Sequence, residues 1–469
     1  MVLVGVLASG CYARLQALPD GISFAGPAHP TTDVEFLADL TWVDESGVRS
    51  VSQEIFDAVF DVIGAAERAI VVDMFLFNDF QGDAPETTRA LSGELTDTLI
   101  ARKRERPGID IIVISDPVNT VYGGIDSKHF DALRDAGIDV VVTDLTALRD
   151  SNPLYSALWR LTFGWLGNSK RPGVMPSPFG DDRVTLRSYL ALLNFKANHR
   201  KVVIADDGAD GVVGLVTSAN PHDGSSAHGN VALRFRGAVV ADLWETERAV
   251  VEFSRGDSPA LVFDAAEVGV ERESEATVQV VTEGKIYAAV LQMLASAGAG
   301  DDIDVAAFYL SNLEVVDALV AAQARGAHVR VLLDPNKDAF GYEKSGIPNR
   351  PVGSVLHRRG VHVRWCDTHG EQCHAKMIIV RRASGDAELL LGSANFTRRN
   401  LEDYNLETSV IVAGDLDTPA IRDASEYFQL VWANEPGRRF SVGYEVFADD
   451  SAFKRFRYWV AERTGFGTF

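Results

Sequence analysis

The sequence predicts an α/β protein that is internally duplicated, each half reading as an α/β layer. Three observations lead there. "SQEIFDAVFDVIGAAERAIVVDMFLF" reads as an amphipathic helix followed by a β-branched strand, and "TEGKIYAAVLQMLASAGAGDDIDVAAFYL", after residue 282, repeats that pair. "IDIIVISDP", ending at Pro117, is answered by "AHVRVLLDP", ending at Pro335, so helices and strands alternate in the same order twice. "NHRKVVIADD" at 198–207 is answered by "CHAKMIIVRR" at 373–382, and each opens an apolar run with a histidine and a lysine two residues apart.

Taken in chain order, "MVLVGVLASGCYARL" is a short apolar stretch that reaches small residues and then Cys11, much as a bacterial lipoprotein signal does. It lacks a basic leading region, and a frayed terminus or edge strand is the alternative. Residues 12 to about 40 are rich in Gly, Pro and Asp without periodicity, so residues 1–40 are expected to be a signal-like N-terminus and tether. Residues 41–265 then form the first half and residues 266–469 the second, joined near the acidic stretch "VFDAAEVGVERESEATV". Asp116 and His199 are 83 residues apart, whereas Asp334 and His374 are 40 apart, which leaves about 43 extra residues in the first half.

That insertion, at about 145–190, contains "NPLYSALWRLTFGWLGN", with Tyr155, Trp159, Phe163 and Trp165 set among leucines around one charge. It is expected either to pack on itself or to meet lipid. The C-terminal "FKRFRYWVAERTGFGTF" places Lys454, Arg455, Arg457 and Arg463 among aromatics, as a solvated amphipathic helix or a second lipid contact would. With Cys11 set aside, Cys366 and Cys373 are an even pair across a short loop, as an oxidising compartment permits; two free buried thiols are the alternative.

Composition narrows the function classes. At 469 residues and 46% apolar, the chain buries a large core. Its formal charge of −21 and pI near 4.9 repel nucleic acid and anionic membrane faces alike, so any phosphate-bearing substrate needs a local basic site. No apolar run reaches the ~18–20 residues of a spanning helix.

The spacing within the two copies makes them one device used twice. His199 to Asn220 and His374 to Asn395 are both 21 residues, and Lys201 to Ser218 and Lys376 to Ser393 are both 17. A strand puts residues i and i+2 on one face, so each histidine points with its lysine, and each serine with its asparagine. If the halves pack face to face, eight polar side chains converge and supply a nucleophile or acid, a cation and neutral donors for phosphoryl oxygens. A zinc site fits poorly, because each histidine arrives with a lysine that repels the cation. A core histidine explains either copy alone but not the matched set.

These residues resemble the phospholipase D superfamily, whose signature is H-x-K-x4-D followed by G-S-x-N, present twice per active site. His199, Lys201 and Asp206 match the first copy, with "TSAN" in place of G-S-x-N; His374, Lys376 and "GSANF" match the second, where Arg381 replaces the aspartate. "HAKMIIV", "GSANFTRRNLEDYNLE" and "ERTGFGTF" look most like the bacterial cardiolipin synthase and phospholipase D branch. The resemblance implies two duplicated α/β/α sandwich halves with one active site at their interface, and no metal or cofactor. One histidine would attack phosphorus to form a phosphohistidine while the other protonates the leaving alcohol, and Lys201, Lys376, Asn220 and Asn395 would hold the non-bridging oxygens.

It further implies an acidic residue after each asparagine that orients the histidine of the opposite half. Glu407 fills that place in the second copy, whereas the first offers Asn230 or Ala232, neither a carboxylate, with Asp223 in the loop as a substitute. His199 is therefore the expected nucleophile and His374 the general acid and base, with Asp206, Ser218, Ser393 and Asn230 supporting. The expected function is hydrolysis or transfer of phospholipid phosphodiesters; a nuclease or phosphodiesterase and a non-catalytic lipid-binding module are the alternatives. The expected partners are a phospholipid and a membrane surface rather than nucleic acid. The chain is expected to act as a monomer, an internal pseudo-dimer, in the cell envelope as a lipid-anchored protein, or alternatively in the cytoplasm against the membrane.

Overall fold

Two large sheets stand face to face in the computed structural model, which describes residues 16–464 apart from 82–87, 172, 181, 209–210, 262, 264–275 and 340–341. The signal-like segment with Cys11, the expected join near residue 265 and the final residues 465–469 lie outside the described residues.

The chain begins with β1 (His29–Pro30), β2 (Val34–Val43), β3 (Arg49–Ser52), α1 (Ile55–Ala65), β4 (Ala69–Met74) and α2 (Leu91–Glu105). It continues with β5 (Asp110–Ser115), α3 (Lys128–Asp135), β6 (Asp139–Val142), α4 (Pro153–Thr162), a short hairpin of β7 (Met175–Pro176) and β8 (Arg183–Val184), and α5 (Leu186–Leu192). Then come β9 (Lys201–Asp206), β10 (Val212–Thr217), β11 (Asn230–Arg236) and α6 (Val239–Arg255).

The second half opens with β12 (Thr277–Thr282), α7 (Gly284–Ser296), β13 (Asp302–Ala307), α8 (Leu313–Ala324) and β14 (His328–Leu333). A hairpin of β15 (Asp338–Ala339) and β16 (Tyr342–Glu343) leads to α9 (Asn349–Arg358), β17 (His362–Cys366), β18 (Lys376–Arg381), β19 (Asp386–Gly392) and α10 (Arg398–Leu401). The chain closes with β20 (Thr408–Asp415), α11 (Pro419–Ala433), β21 (Ser441–Gly443) and α12 (Ala452–Thr464).

The first sheet runs β3-β2-β11-β10-β9-β4-β5-β6 and the second β1-β12-β20-β19-β18-β13-β14-β17-β21. Within them the order β11-β10-β9-β4-β5-β6 is matched by β20-β19-β18-β13-β14-β17, so the duplicated α/β fold class read from the sequence is the one observed. In each half the His-x-Lys strand, β9 or β18, lies antiparallel to β4 or β13. All six residues of β4 and of β9 are buried, which is why those strands read as continuous β-branched runs rather than alternating ones.

Helices α1, α2 and α3 close the outer face of the first sheet, and α7, α8 and α9 that of the second. Between the sheets one core joins Val202, Ile204 and Val216 to Met377, Ile379 and Leu391, with α6 and α11 packed into the same cluster. Burial of that shared core holds the halves together.

The tether expected for residues 12–40 is not what residues 16–40 form. Phe24 and Gly26 bond to Thr282 and Val280, His29 and Pro30 pair with β12, and Val34–Val43 is a strand paired with β11. Gly, Pro and Asp in residues 12–33 masked the strand, one of whose partners, β11, lies about 200 residues away. The aromatic insertion folds into α4, the β7–β8 hairpin and α5, with Leu154, Leu158 and Leu161 of α4 turned outward.

Candidate active site

Two matched half-sites meet where the residues leading into β9 and β18 bond to the opposite half. His199 N–H donates to the Leu406 carbonyl at 2.9 Å, and His374 N–H to the Gly229 carbonyl at 2.7 Å. Leu406 and Gly229 return bonds to Ala197 and Gln372, each at 3.0 Å. Each histidine is thus stitched by its backbone to the strand that opens the other half's β20 or β11.

A buried aspartate fixes each strand start. Asp116 Oδ2 accepts from Asn198 N–H at 2.7 Å, and Asp334 Oδ2 accepts from Cys373 N–H at 2.9 Å, the residues just before the two histidines. Burial pushes Asp116 up to about 7 and Asp334 up to about 6. Sequence reading noted the repeated Asp-Pro but assigned it no role, although its recurrence was the signal. The repeat also supplies the ring beneath each imidazole: Phe75 lies 4.7 Å from His199 and Phe308 4.8 Å from His374.

The imidazoles are gripped from across the interface. His199 Nδ1 lies 2.9 Å from Glu407 Oε1, and His374 Nδ1 lies 3.1 Å from Asn230 Oδ1. A carboxylate accepts, so His199 Nδ1 carries the hydrogen; Asn230 Nδ2 donates to the His228 carbonyl, so its oxygen accepts from His374. In each neutral ring Nε2 then carries the lone pair. Ser218 Oγ donates to Asn230 Oδ1 at 3.1 Å, and Ser393 Oγ donates to Glu407. Asp223, the substitute carboxylate considered for the first copy, instead accepts from the Ser92 N–H and hydroxyl and caps α2.

Each lysine folds back under its own histidine, Lys201 Nζ to the His199 carbonyl at 2.7 Å and Lys376 Nζ to the His374 carbonyl at 2.6 Å. Both ammoniums also lie 5.2 Å from the Phe75 or Phe308 centroid. Burial pushes Lys201 down to about 7 and Lys376 down as well, the latter also because of Lys201. Burial likewise brings His199 down to about 4 against the upward pull of Glu407, and holds His374 well below its usual range with Lys376 and His228 adding to the effect. Both imidazoles are neutral before an anion arrives.

His199, His374, Asn220 and Asn395 line a single cavity of about 310 Å³. Asn220 Oδ1 accepts from Leu76 N–H at 3.2 Å, while the buried Asn395 Oδ1 has no hydrogen-bond partner among the described residues. Of the expected residues, Asp206 alone is far from the cavity. Seven positions along a strand from His199 amount to roughly 23 Å, and its carboxylate accepts from the N–H groups of Glu67, Arg68 and Ala69 at 2.7–2.9 Å. At the matching position Arg381 donates to Asp304 at 2.6 Å, and Asp301 takes the Ala383 N–H instead.

Sequence reading missed one network altogether. Arg200, between His199 and Lys201, is fully buried and donates to Glu283 at 2.8 Å and to Glu247 at 3.1 Å. Glu283 also accepts the Glu407 N–H at 2.9 Å, which ties the first His-x-Lys strand to the residue holding His199. Among the described residues no three His, Cys, Asp or Glu side chains are grouped so as to hold a metal ion.

Residues 290–432 match the family model described as the cardiolipin synthase, phospholipase D-like domain. Among solved structures, phosphatidylserine synthase of Haemophilus influenzae Rd KW20 is 11% identical over 97% of each chain, with a TM-score of 0.56. The phospholipase D family member Nuc of Salmonella typhimurium is 23% identical over 35% of this chain and 98% of its own, with a TM-score of 0.29. At such identities the likeness is one of fold. No curated protein matches.

Proposed function

With a phospholipase D-like domain at residues 290–432 as the premise, we propose that the protein hydrolyses or transfers phospholipid phosphodiesters through a phosphohistidine on His199. The observation that carries this reading is the cross-pairing: two imidazoles, each held at Nδ1 by the opposite half, present Nε2 to one cavity. His199 Nε2 attacks phosphorus and the ester bond to the leaving alcohol breaks, while His374 Nε2–H passes its proton to the departing oxygen. Water or a second alcohol then gives its proton to His374 and attacks phosphorus, breaking the P–N bond and freeing His199.

The unequal partners suit unequal tasks. An imidazole bonded to phosphorus becomes cationic, and Glu407 stabilises that charge. An acid must surrender its proton, and His374, with neutral Asn230 and nearby lysines, holds a proton weakly. The bound phosphodiester anion offsets those lysines and lets His374 take up the proton it later gives. Asn220, Asn395, Lys201 and Lys376 stabilise the non-bridging oxygens.

A lipid substrate is supported by the cavity's apolar side, formed by Phe75, Leu76, Val118, Phe179, Leu192 and Phe195. Outward apolar residues on α4 and α12 support contact with a membrane surface. The test is incubation with phosphatidylglycerol vesicles, phosphatidylcholine vesicles and single-stranded DNA, with and without EDTA. Lipid turnover that survives the chelator and is lost in His199→Ala and His374→Ala is expected; cleavage of DNA alone would reject the lipid reading. Acid quench with a slow substrate should place phosphate on His199, and label on His374 would reverse the assignment.

A further inference from the structure

Resting on the reaction proposed above, we infer that the Cys366–Cys373 disulfide positions His374, so that reduction by a dithiol slows proton transfer from His374 without unfolding the protein.

Comparison of the two halves shows what the bond replaces. In the first half Asn198 precedes His199, and its Nδ2 donates to Thr143 Oγ1 at 3.0 Å and to the two Asp73 carboxylate oxygens at 2.9 and 2.8 Å. Strand register gives the counterpart of each in the second half. Val142 pairs with Ser115, just before Asp116, and Trp365 pairs with Leu333, just before Asp334, so Thr143 and Cys366 hold matched places. Lys201 pairs with Met74 and Lys376 with Ala307, so Asp73 is matched by Ala306. Cys373 stands where Asn198 does. One link therefore joins the same two places in each half, as a hydrogen bond in the first and as a disulfide in the second.

Ala306 offers no side-chain acceptor, so the bond to Cys366 is the side-chain anchor left to Cys373. The backbone has others. Asp334 accepts the Cys373 N–H at 2.9 Å, Gly229 accepts the His374 N–H at 2.7 Å, and Arg49 of the first half holds Glu371 at 3.0 Å. Reduction therefore loosens residues 367–373 and leaves them in place. His374 is sensitive to that loosening, because its Nδ1 reaches Asn230 at 3.1 Å across the interface and a shift of about 1 Å ends the bond.

Cys373 is half-buried and borders a small cleft with Thr41, Glu371 and Phe440, which gives a thiol its approach. One thiolate of the dithiol attacks the Cys373 sulfur, the S–S bond breaks, and Cys366 leaves as a thiol after taking up a proton. The reductant's second thiol then closes its own disulfide and frees Cys373 as a thiol. The protein gains two electrons and two protons, and the dithiol loses them.

The experiment follows kcat and KM for phosphatidylglycerol and for bis-p-nitrophenyl phosphate in the native protein, after dithiothreitol, and after reoxidation. Reduction should lower kcat on phosphatidylglycerol by about tenfold or more, with KM within about twofold. On the nitrophenyl diester the loss should stay below about threefold, because nitrophenolate departs without a proton. Reoxidation should restore both. Cys366→Ser with Cys373→Ser should behave as the reduced protein at a temperature below its melting transition. Cys366→Thr with Cys373→Asn, which rebuilds the hydrogen bond of the first half, should regain turnover and no longer respond to dithiothreitol. Equal loss on both substrates, or a serine pair as active as wild type, would overturn the positioning role and leave the proposed function standing.

A second readout needs no turnover. Diethyl pyrocarbonate acylates neutral imidazoles, and mass spectrometry gives the labelling of His374 relative to His199 within one preparation. Reduction should raise that ratio by about fivefold, as local opening exposes the ring. A raised ratio in a protein that turns over no phosphodiester would overturn the proposed function and keep the positioning role; an unchanged ratio would overturn the positioning role.

Discussion

Glu407 and Asn230 occupy matched positions, and on the proposed mechanism the charge that only Glu407 carries decides which histidine attacks. Replacing Glu407 by Gln keeps the hydrogen bond but removes the charge that steadies a phosphorylated imidazole, so kcat should fall by about 10²–10⁴, as when the carboxylate behind a serine-protease histidine is neutralised. Asn230→Asp does the opposite on the other side. It raises the pKa of His374 and weakens it as an acid, so departure of a lipid alkoxide should slow far more than departure of nitrophenolate. Comparing phosphatidylglycerol with bis-p-nitrophenyl phosphate reads this, and an equal effect of Asn230→Asp on both would remove His374 from the acid role. The pH profile of kcat/KM follows from the same groups. His199, down at about 4, loses its attacking lone pair below that pH. Lys201, down at about 7, loses its charge and its hold on phosphate above that pH. The optimum should therefore lie between about pH 4 and 7, and Glu407→Gln should move the acidic limb lower. A profile flat from pH 6 to 9 would take Lys201 out of anion binding.

Among the elements, β17 and β18 are joined by a disulfide, Cys366 to Cys373, which closes the loop that ends one residue before His374. Such a short closed loop is worth roughly 2–3 kcal/mol on the loop-entropy account. The Cys366→Ser, Cys373→Ser double variant should melt several degrees lower, and the native protein should take up no alkylating agent at these positions before reduction. Free thiols in the native chain would contradict the bond. Sequence made β9 and β18 legible because His, Lys, Ser and Asn recur at matched intervals on matched strands, and any one copy would have been ambiguous. It made Glu407 and Asn230 legible as a pair only through the family likeness, since their histidines are about 208 and 144 residues away. It left β2 unread because that strand's polar Asp39 and the glycines before it look like loop, while Asp39 in fact caps α1 through the N–H groups of Glu54 and Ile55. It left Arg200 unread because a charge between two motif residues looks like solvent-facing filler. Arg200→Met should strand Glu247 and Glu283 without their cation, and breaking a buried pair of this kind costs about 3–5 kcal/mol. A melting point unchanged by that substitution would show the network to be slack.

For the molecule as a whole, the acidic surface and the outward apolar side chains pull in different directions. Leu154, Leu158 and Leu161 recur at helical spacing on the exposed side of α4, followed by Phe163 and by Trp165, which is 75% exposed; on α12, Phe453 and Phe456 are 68% and 61% exposed. Helix α12 reaches the neighbourhood of the cavity, where its Glu462 accepts the N–H of Arg398, next to the cavity-lining Arg399. Basic residues beside these apolar stretches are largely spent within the protein, Arg160 on Asp150, Lys170 on Asp126 and Lys454 on Asp449. Attachment to a bilayer should then come from apolar insertion rather than from charge, and should persist in salt. Each large side chain buried in lipid is worth roughly 1.5–3 kcal/mol, so Leu161→Glu with Trp165→Glu should weaken partitioning by about 10²-fold or more. Co-sedimentation with phosphatidylcholine–phosphatidylglycerol vesicles at 0.1 and 0.5 M NaCl measures it, and Trp165 fluorescence should shift to the blue on binding. The double variant should lose turnover on vesicles while keeping turnover of a soluble diester, because Leu161 and Trp165 are not among the residues lining the cavity. Binding that disappears in 0.5 M NaCl yet survives the double substitution would assign the contact to charge and reject the apolar face.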